Sequence, residues 1–463
     1  MAREWIGDLT AKLHAGTISR REFAQRAAAL GFSATLIGQA LRATSVAAQD
    51  STPAAGGSAM GGGPGEIGME GIEHITDTSK GKVKFYSSWP LIAATAQTGG
   101  DMRAAVELAV EDFGKAAGGF ALEFEALDDA LASTGNWDAG KESENANKAA
   151  NDADAMVYIG TYNSGAANIS IPILNEVPMA MISPGNTYPG LTQAVEGVTA
   201  EGEPEKFYPS GKRNYMRNTV ADHLQAGAQI NWALNTMGFK KAYILHDDEL
   251  YGKGLAIAFQ LYFKKFGGEV LGFEKFQRDA PDYQALATSI ADKAPDIIFI
   301  STVAANNPAK VTKDLRSVLT PDQTAILGPD GLFNQAYIDA AGDEGEGVYI
   351  TFGGVPPEYM KSDVGKAWTE RMQKVVGHSP DAYSTYAYEA AVIAIQAIDK
   401  VQEKDRQKIL DAMFATKDFH GLSGTYSFTE TGDPDKPSIF LGQVKDGKIT
   451  EVAFITPPEN LTS

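Results

Sequence analysis

From Lys82 onward, short apolar runs alternate with longer segments whose apolar residues recur at helical spacing. "KVKFYSSW" (82–89) reads as a strand. "DMRAAVELAVEDFGKAAGG" (101–119) sets Met102, Val106, Ala109 and Phe113 on one helical face, with Gly118 and Gly119 as stop residues. The alternation continues with strands at "ALEFEALDD", "AMVYIG" and "VPMAMISP" and helices at "KESENANKAANDA" and "SGAANISIPILNE". A second series starts near Asp222, with helix "HLQAGAQINWALNTMG", strand "KKAYILHDD", helix "GKGLAIAFQLYFKKFGG" and strand "EVLGFEKF". It goes on through helix "DYQALATSIADKA", strand "PDIIFIST", helix "PAKVTKDLRSVL" and strand "TAILGPD". Strands separated by single helices need crossover connections, and crossovers give a parallel sheet covered on both faces. The pattern predicts an α/β chain of two doubly wound lobes.

In open sheets of this kind, ligands gather beyond the carboxyl ends of the strands, where loops and helix N-termini converge. The loops in that position are "GTYNSG", "SPGNT", "HDDELYG", "STVAANN" and "GPDG". They carry hydroxyls, amides and acids.

The first eighty residues follow a different pattern. "SRREF" (Ser19–Phe23) sets Arg20 and Arg21 ahead of Ala27–Leu41, an apolar stretch of about fifteen residues, too short for a ~30 Å hydrocarbon core. Such a stretch suits the apolar centre of a signal peptide, and Val46 and Ala48 in "SVAAQ" fit a cut after Ala48. "STPAAGGSAMGGGPG" (51–65) then reads as part of a flexible tether over 49–81. The other reading of the arginines is an amphipathic helix with both exposed.

Acidic residues outnumber basic ones 59 to 40, and the resulting charge of -19 opposes nucleic acid and anionic membrane surfaces. Cysteine is absent, which removes disulfides, thiolate nucleophiles and cysteine-held metal clusters. The six histidines show no helical zinc spacing, so no metal is expected. "GTYNSG" misplaces its serine for a nucleophile elbow, and "YGKGLAI" lacks the third glycine of a dinucleotide loop. The acid pairs Asp128–Asp129 and Asp247–Asp248, the latter beside His246, suit either acid/base chemistry or the capping of helices and loops.

"YIGTYNSGAANISIPILNEVPMAMISPGNTYPGLT", "ILHDDELYGKGLA" and "ILGPDGL", in this order, resemble the periplasmic solute-binding receptors of branched-chain amino acid type, which serve ABC transporters. The resemblance runs from about Val83 to Ile455. It implies the type I periplasmic binding fold, with lobe 1 at 82–220 plus 354–423 and lobe 2 at 221–353 plus 424–458. Three crossings near Thr219–Asp222, Phe352–Gly354 and Ser423–Thr425 would let the lobes close on a ligand.

The same resemblance assigns Ser164, Gly185 and Thr187 to a ligand α-carboxylate, and Tyr251 and Asp330 to the second lobe's grip, with Asp330 facing an α-ammonium. Tyr162, Asn163 and Trp89 are further cleft candidates. Val303, Ala304 and Ala305 stand where many members have an aromatic residue, and Asp330 where glutamate is commoner. "SRREF" itself resembles a twin-arginine export signal, which makes 1–48 a cleaved signal peptide and the periplasm the destination. The expectation is a monomeric receptor, without catalysis or cofactor, that binds an amino acid or related small amide or carboxylate. Its partners would be the membrane subunits of an ABC permease; an extracytoplasmic sensor with a signalling partner is the alternative.

Overall fold

The computed structural model describes residues 67–458 and Leu461. The arginine pair, the apolar run after it and the cleavage motif lie outside the described residues. "KVKFYSSW" forms β1 (Lys82–Trp89), buried without a break from Phe85 to Trp89. Burial on both faces suits the centre of a parallel sheet. There β1 lies between β3 (Phe120–Asp128) and β4 (Ala155–Gly160), parallel to both. The short β2 (Ala116–Ala117) hairpins onto β3, while β5 (Ala180–Ser183) and β6 (Tyr215–Arg217) extend the sheet past β4. The order β2-β3-β1-β4-β5-β6 reverses its direction of growth between β1 and β4, and the loops leaving those two strands face a switch-point crevice.

Met102, Val106, Ala109 and Phe113 are buried as their spacing predicts. Their helix α1 spans Ala96–Asp112, so it starts ahead of the expected Asp101. Gly118 and Gly119 do not stop it; both take positive φ in the turn from β2 to β3. The next helices are α2 (Ala139–Asn151) and α3 (Ser164–Asn175).

The second series runs α4 (Asp222–Asn231), β7 (Lys241–His246), α5 (Leu250–Lys265), β8 (Glu269–Lys275) and α6 (Gln284–Ala291). It continues with β9 (Ile297–Ser301), α7 (Pro308–Arg316), β10 (Ala325–Gly328), α8 (Gln335–Ala341) and β11 (Tyr349–Gly353). β12 (Phe419–His420) and β13 (Thr425–Tyr426) form a small antiparallel pair of their own. The second sheet is ordered β15-β14-β11-β10-β9-β7-β8, with β14 (Ile439–Lys445) and β15 (Lys448–Ile455) added antiparallel at the edge. Its own reversal falls between β7 and β9. Among the described residues, no helix is long and apolar enough to cross a membrane.

After β11 the chain returns to the first lobe through α9 (Asp363–Val376), α10 (Tyr383–Val401) and α11 (Arg406–Phe414). Helix α10 is buried along nearly its whole length and lies against α1. Its buried acids are bonded: Glu389 accepts from Ser423 N at 2.7 Å and from the Tyr426 hydroxyl at 3.0 Å, and Asp399 accepts from Gly118 N at 2.7 Å. Asp399 also pairs with His74 Nδ1 at 2.8 Å, and Gln396 donates to Gly68 O. Ile67 and Met69 are buried in the same core. Residues 67–81 are therefore docked on the first lobe and are not tether, because their apolar residues and His74 have partners that the upstream Gly/Ser run has nothing to match.

The first crossing lies at 218–221, between β6 and α4. The second begins at Gly354, which bridges to Ile439. The third follows residue 435 instead of lying at Ser423–Thr425. Before it, Gly432 O accepts from Arg217 N at 2.9 Å and Asp433 pairs with Arg217 at 2.8 Å, which keeps this segment on the first lobe. Gly354 has φ +133°, and a Cβ there would stand 1.4 Å from the Tyr386 hydroxyl. Gly354→Ala is expected to lower the melting temperature markedly, and adding Tyr386→Phe to restore part of the loss. Calorimetry of both variants checks this; no rescue by the double variant would place the cost in the backbone alone.

Candidate functional site

Two first-lobe loops form one wall of the interlobe crevice. The loop after β4 enters α3 at Asn163 and Ser164, and the loop after β5 carries Gly185 to Thr187. Ser183 Oγ joins them: it donates to Thr161 O and accepts from Asn186 N, both at 2.8 Å. Asn186 Nδ2 adds a bond to Tyr162 O at 2.9 Å. Behind them the fully buried Arg217 donates from Nη1 to Asn186 O at 3.1 Å and Tyr188 O at 2.9 Å, and from Nε to Asp433 at 2.8 Å. Burial opposes the guanidinium charge, but Asp433 together with Tyr215, Asp222 and Tyr208 outweighs it and holds the pKa above its ordinary value. A buried ion pair with its donors used in this way fixes geometry, and here it fixes the Gly185–Thr187 loop.

The opposite wall centres on Asp330, which is 2% exposed. Its Oδ1 accepts from Gln225 Nε2 and from the Tyr251 hydroxyl, each at 2.7 Å, and its Oδ2 accepts from the Tyr383 hydroxyl at 2.6 Å. Gln225 lies on α4, Tyr251 on α5 and Tyr383 at the head of α10, so donors from both lobes converge on one carboxylate. The Tyr251 oxygen also accepts from Gly331 N at 3.0 Å. A Cβ on Gly331 would stand 2.6 Å from Thr302 O, so this approach needs glycine. Tyr162 meets Tyr383 edge to face at 5.2 Å between ring centres.

Asp222, the first residue of α4, is fully buried. Its backbone N donates to Thr187 O at 2.8 Å, but neither carboxylate oxygen has a hydrogen-bond partner. Burial pushes its pKa well above the ordinary carboxylate value, and the charge of Asp330 pushes further. The Thr187 hydroxyl is near enough to offset part of that shift, although its geometry falls short of a hydrogen bond. Burial raises Asp330 as well, partly offset by its phenol and amide donors. Every side-chain donor to Asp330 is neutral, and Asp222 has none.

Ser164, Gly185, Tyr162, Asn163, Tyr251 and Asp330 border a single narrow cleft, together with Val303, Gly331 and Tyr383. Ser164 Oγ accepts from Tyr188 N at 3.3 Å, and Thr187 sits beside Asp222. Trp89 does not border the cleft. It is fully buried in the first lobe, with its indole N–H on Gly99 O at 3.0 Å, because this strand-end position faces the core while Pro90 takes the rim.

Of the acids considered for chemistry, Asp128, Asp247 and Asp248 hold loops, whereas neither carboxylate oxygen of the fully buried Asp129 has a hydrogen-bond partner. Asp247 accepts from Thr302, Asn306 and Glu249 N, and Asp128 accepts from Leu91 N and Ala130 N, both at 3.0 Å. Asp248 pairs with Lys253 at 2.8 Å, and its N donates to His246 Nδ1 at 3.0 Å.

Sequence reasoning missed Tyr383, which borders the cleft, and the buried Asp222 and Gln225 next to Asp330. The signal for Tyr383 was the long apolar run "YSTYAYEAAVIAIQAIDKV", whose helix was passed over. For Asp222 it was an acid beside a crossing.

The family model described as "Periplasmic binding protein" matches residues 87–448, a span that holds both walls of the cleft. The chain belongs to the periplasmic binding protein family. Among its relatives is the Leu/Ile/Val-binding protein homolog 3 of Brucella melitensis, 26% identical over 363 residues, which are 78% of this chain and 90% of that protein. A leucine-binding protein of Thermotoga maritima has a similar structure, with TM-score 0.71, 24% identity, and coverage of 81% of this chain and 99% of that one. A solute-binding protein of an ABC transporter from R. palustris, solved with benzoate, gives TM-score 0.67 and 21% identity over 81% of this chain and 97% of that one. The fold is that of the type I periplasmic binding proteins, two doubly wound lobes joined by three crossings.

Because burial raises the Asp222 pKa, the folded periplasmic binding protein holds that proton more tightly than the unfolded chain does. Stability is then lost as pH rises from the ordinary value of 3.8 through the raised one. Asp222→Asn removes the ionisable group at nearly constant volume. It is expected to raise the melting temperature of the ligand-free protein at about pH 8 and to lose that advantage near about pH 4. An equal gain at both pH values would show that Asp222 titrates normally.

Proposed function

We propose that this protein is the extracytoplasmic substrate-binding receptor of an ABC importer, and that it binds an amino acid or a related small amide by closing its lobes. The observation that carries the reading is the pair of buried carboxylates, Asp222 and Asp330, whose side chains receive neutral donors or none. Two like charges in a desolvated crevice favour a cation between them, and an α-ammonium is a cation of the right size. The facing wall has the opposite character. There the N-terminus of α3 offers backbone N–H groups and the Ser164 hydroxyl, which suit an α-carboxylate. Thr187, whose hydroxyl has no hydrogen-bond partner, sits beside Asp222, and its carbonyl oxygen accepts from Asp222 N at 2.8 Å.

The names of the relatives, Leu/Ile/Val-binding and leucine-binding, support an amino acid. An aromatic acid such as benzoate has no group for the acidic end of this cleft. The membrane subunits of a permease are the proposed partners, and docking of the closed lobes on them is the proposed route of delivery.

Export is proposed to run through the twin-arginine pathway on residues 1–48, carried by "SRREF". Replacing Arg20 and Arg21 by lysine should leave the precursor in the cytoplasm, as seen by cell fractionation. Normal export of that variant would refute the pathway while leaving the receptor reading intact.

In calorimetric titration, Asp330→Asn should weaken the amino acid that binds the parent protein by about 2–5 kcal/mol, since a buried ammonium loses a charged partner. Unchanged affinity would mean that the ligand's amine is held elsewhere or absent.

A further inference from the structure

Past Asn163, Ser164, Tyr251 and Val303 the cleft continues into an outer chamber between the lobes, where its wall includes Trp137, Asp247, Arg278 and Asn306. Asn306 is 3% exposed. Its Nδ2 donates to Asp247 Oδ2 at 2.7 Å, which fixes the amide orientation, because the reverse would set oxygen against carboxylate oxygen. The Asn306 Oδ1 that remains is buried and has no hydrogen-bond partner. From the other lobe, Asn163 Oδ1 is buried and equally without one. Two acceptors, one per lobe, thus border the same chamber.

The charge of the chamber points the same way. Arg278 is taken by Glu249, while Asp247 accepts only from the neutral Thr302 hydroxyl, the Asn306 amide and Glu249 N. An aliphatic side chain placed here would leave both amide oxygens desolvated and unbonded. A side chain ending in N–H groups would satisfy them, and a cationic one would also meet the negative charge of Asp247.

We propose that the outer chamber selects amino acids whose side chains end in N–H donors, an amide, a guanidinium or an ammonium, over those with aliphatic side chains. The proposal rests on the receptor reading above and names the ligand class within it.

The test is calorimetric titration of the full chain with L-glutamine, L-arginine, L-lysine, L-leucine and L-alanine. At least one of the first three should bind about tenfold or more tightly than L-leucine, since a site built for N–H donors rejects analogues that lack them. Asn306→Leu should shrink that ratio, whereas a purely structural role would weaken both ligands by the same factor. Asn163→Leu, on a different lobe, gives the same readout if the Asn306 variant does not fold. L-leucine binding as tightly as all three donor-bearing amino acids, or a ratio unchanged in the variants, would overturn the proposal and leave the amino-acid reading standing. Failure of all five to bind would overturn that reading and the proposal together.

Discussion

The carboxylate of Asp330, shut off from water and held by three neutral donors, sets the terms for the structure around it. Those donors come from α4, α5 and α10, so the bonds form only when the two lobes and the first crossing are in register. Gln225 can reach Asp330 only from the first turn of α4, and that turn brings Asp222 into the same space. Desolvation and mutual repulsion then act on both acids. The nearby Arg217 offsets only part of the Asp222 shift and bonds neither acid, because its Nε is committed to Asp433 and its other donors to the Asn186–Tyr188 loop and Thr192. The fold thus keeps one charge pair closed for support and leaves a second group of acids without a cationic hydrogen-bond partner, with Asp330 bordering the cleft.

This division of labour explains the arrangement of the walls. The first lobe presents N–H and hydroxyl groups on loops braced by Ser183, Asn186 and Arg217. The second presents acids and phenols, braced by Gln225 and by the close approach that Gly331 permits. A ligand with one anionic and one cationic end has a single favourable orientation between such walls.

Much of this was legible in the sequence because the α/β alternation is strong and the strands are buried runs of the expected length. β1, β4, β7 and β9 fall where apolar runs end in loops with hydroxyls and acids. Tyr251 and Asp330 could be singled out because their strand-end motifs, "ELYGKG" and "GPDG", resemble those of the branched-chain amino acid receptors. What escaped depends on the third dimension. Tyr383 reaches Asp330 from a distant part of the chain, and no local spacing announces that meeting. Trp89 had the right position for a cleft residue, but its side chain lies in the first-lobe core with its indole N–H on Gly99 O. Residues 67–81 read as tether by their neighbours' composition, although Ile67, Met69 and His74 are what bind them to the lobe.

Helix α10 also imposes an order on biosynthesis. It packs against α1 in the first lobe, yet its residues follow almost the whole second lobe in the chain. During translation, the first sheet emerges early and waits with one layer incomplete while the second lobe's α/β units are made. Only when Tyr383–Val401 leaves the ribosome can that surface be covered, and Asp433 must follow before Arg217 is neutralised. The protein is a late folder by construction, and its first-made strands depend on its last-made helices.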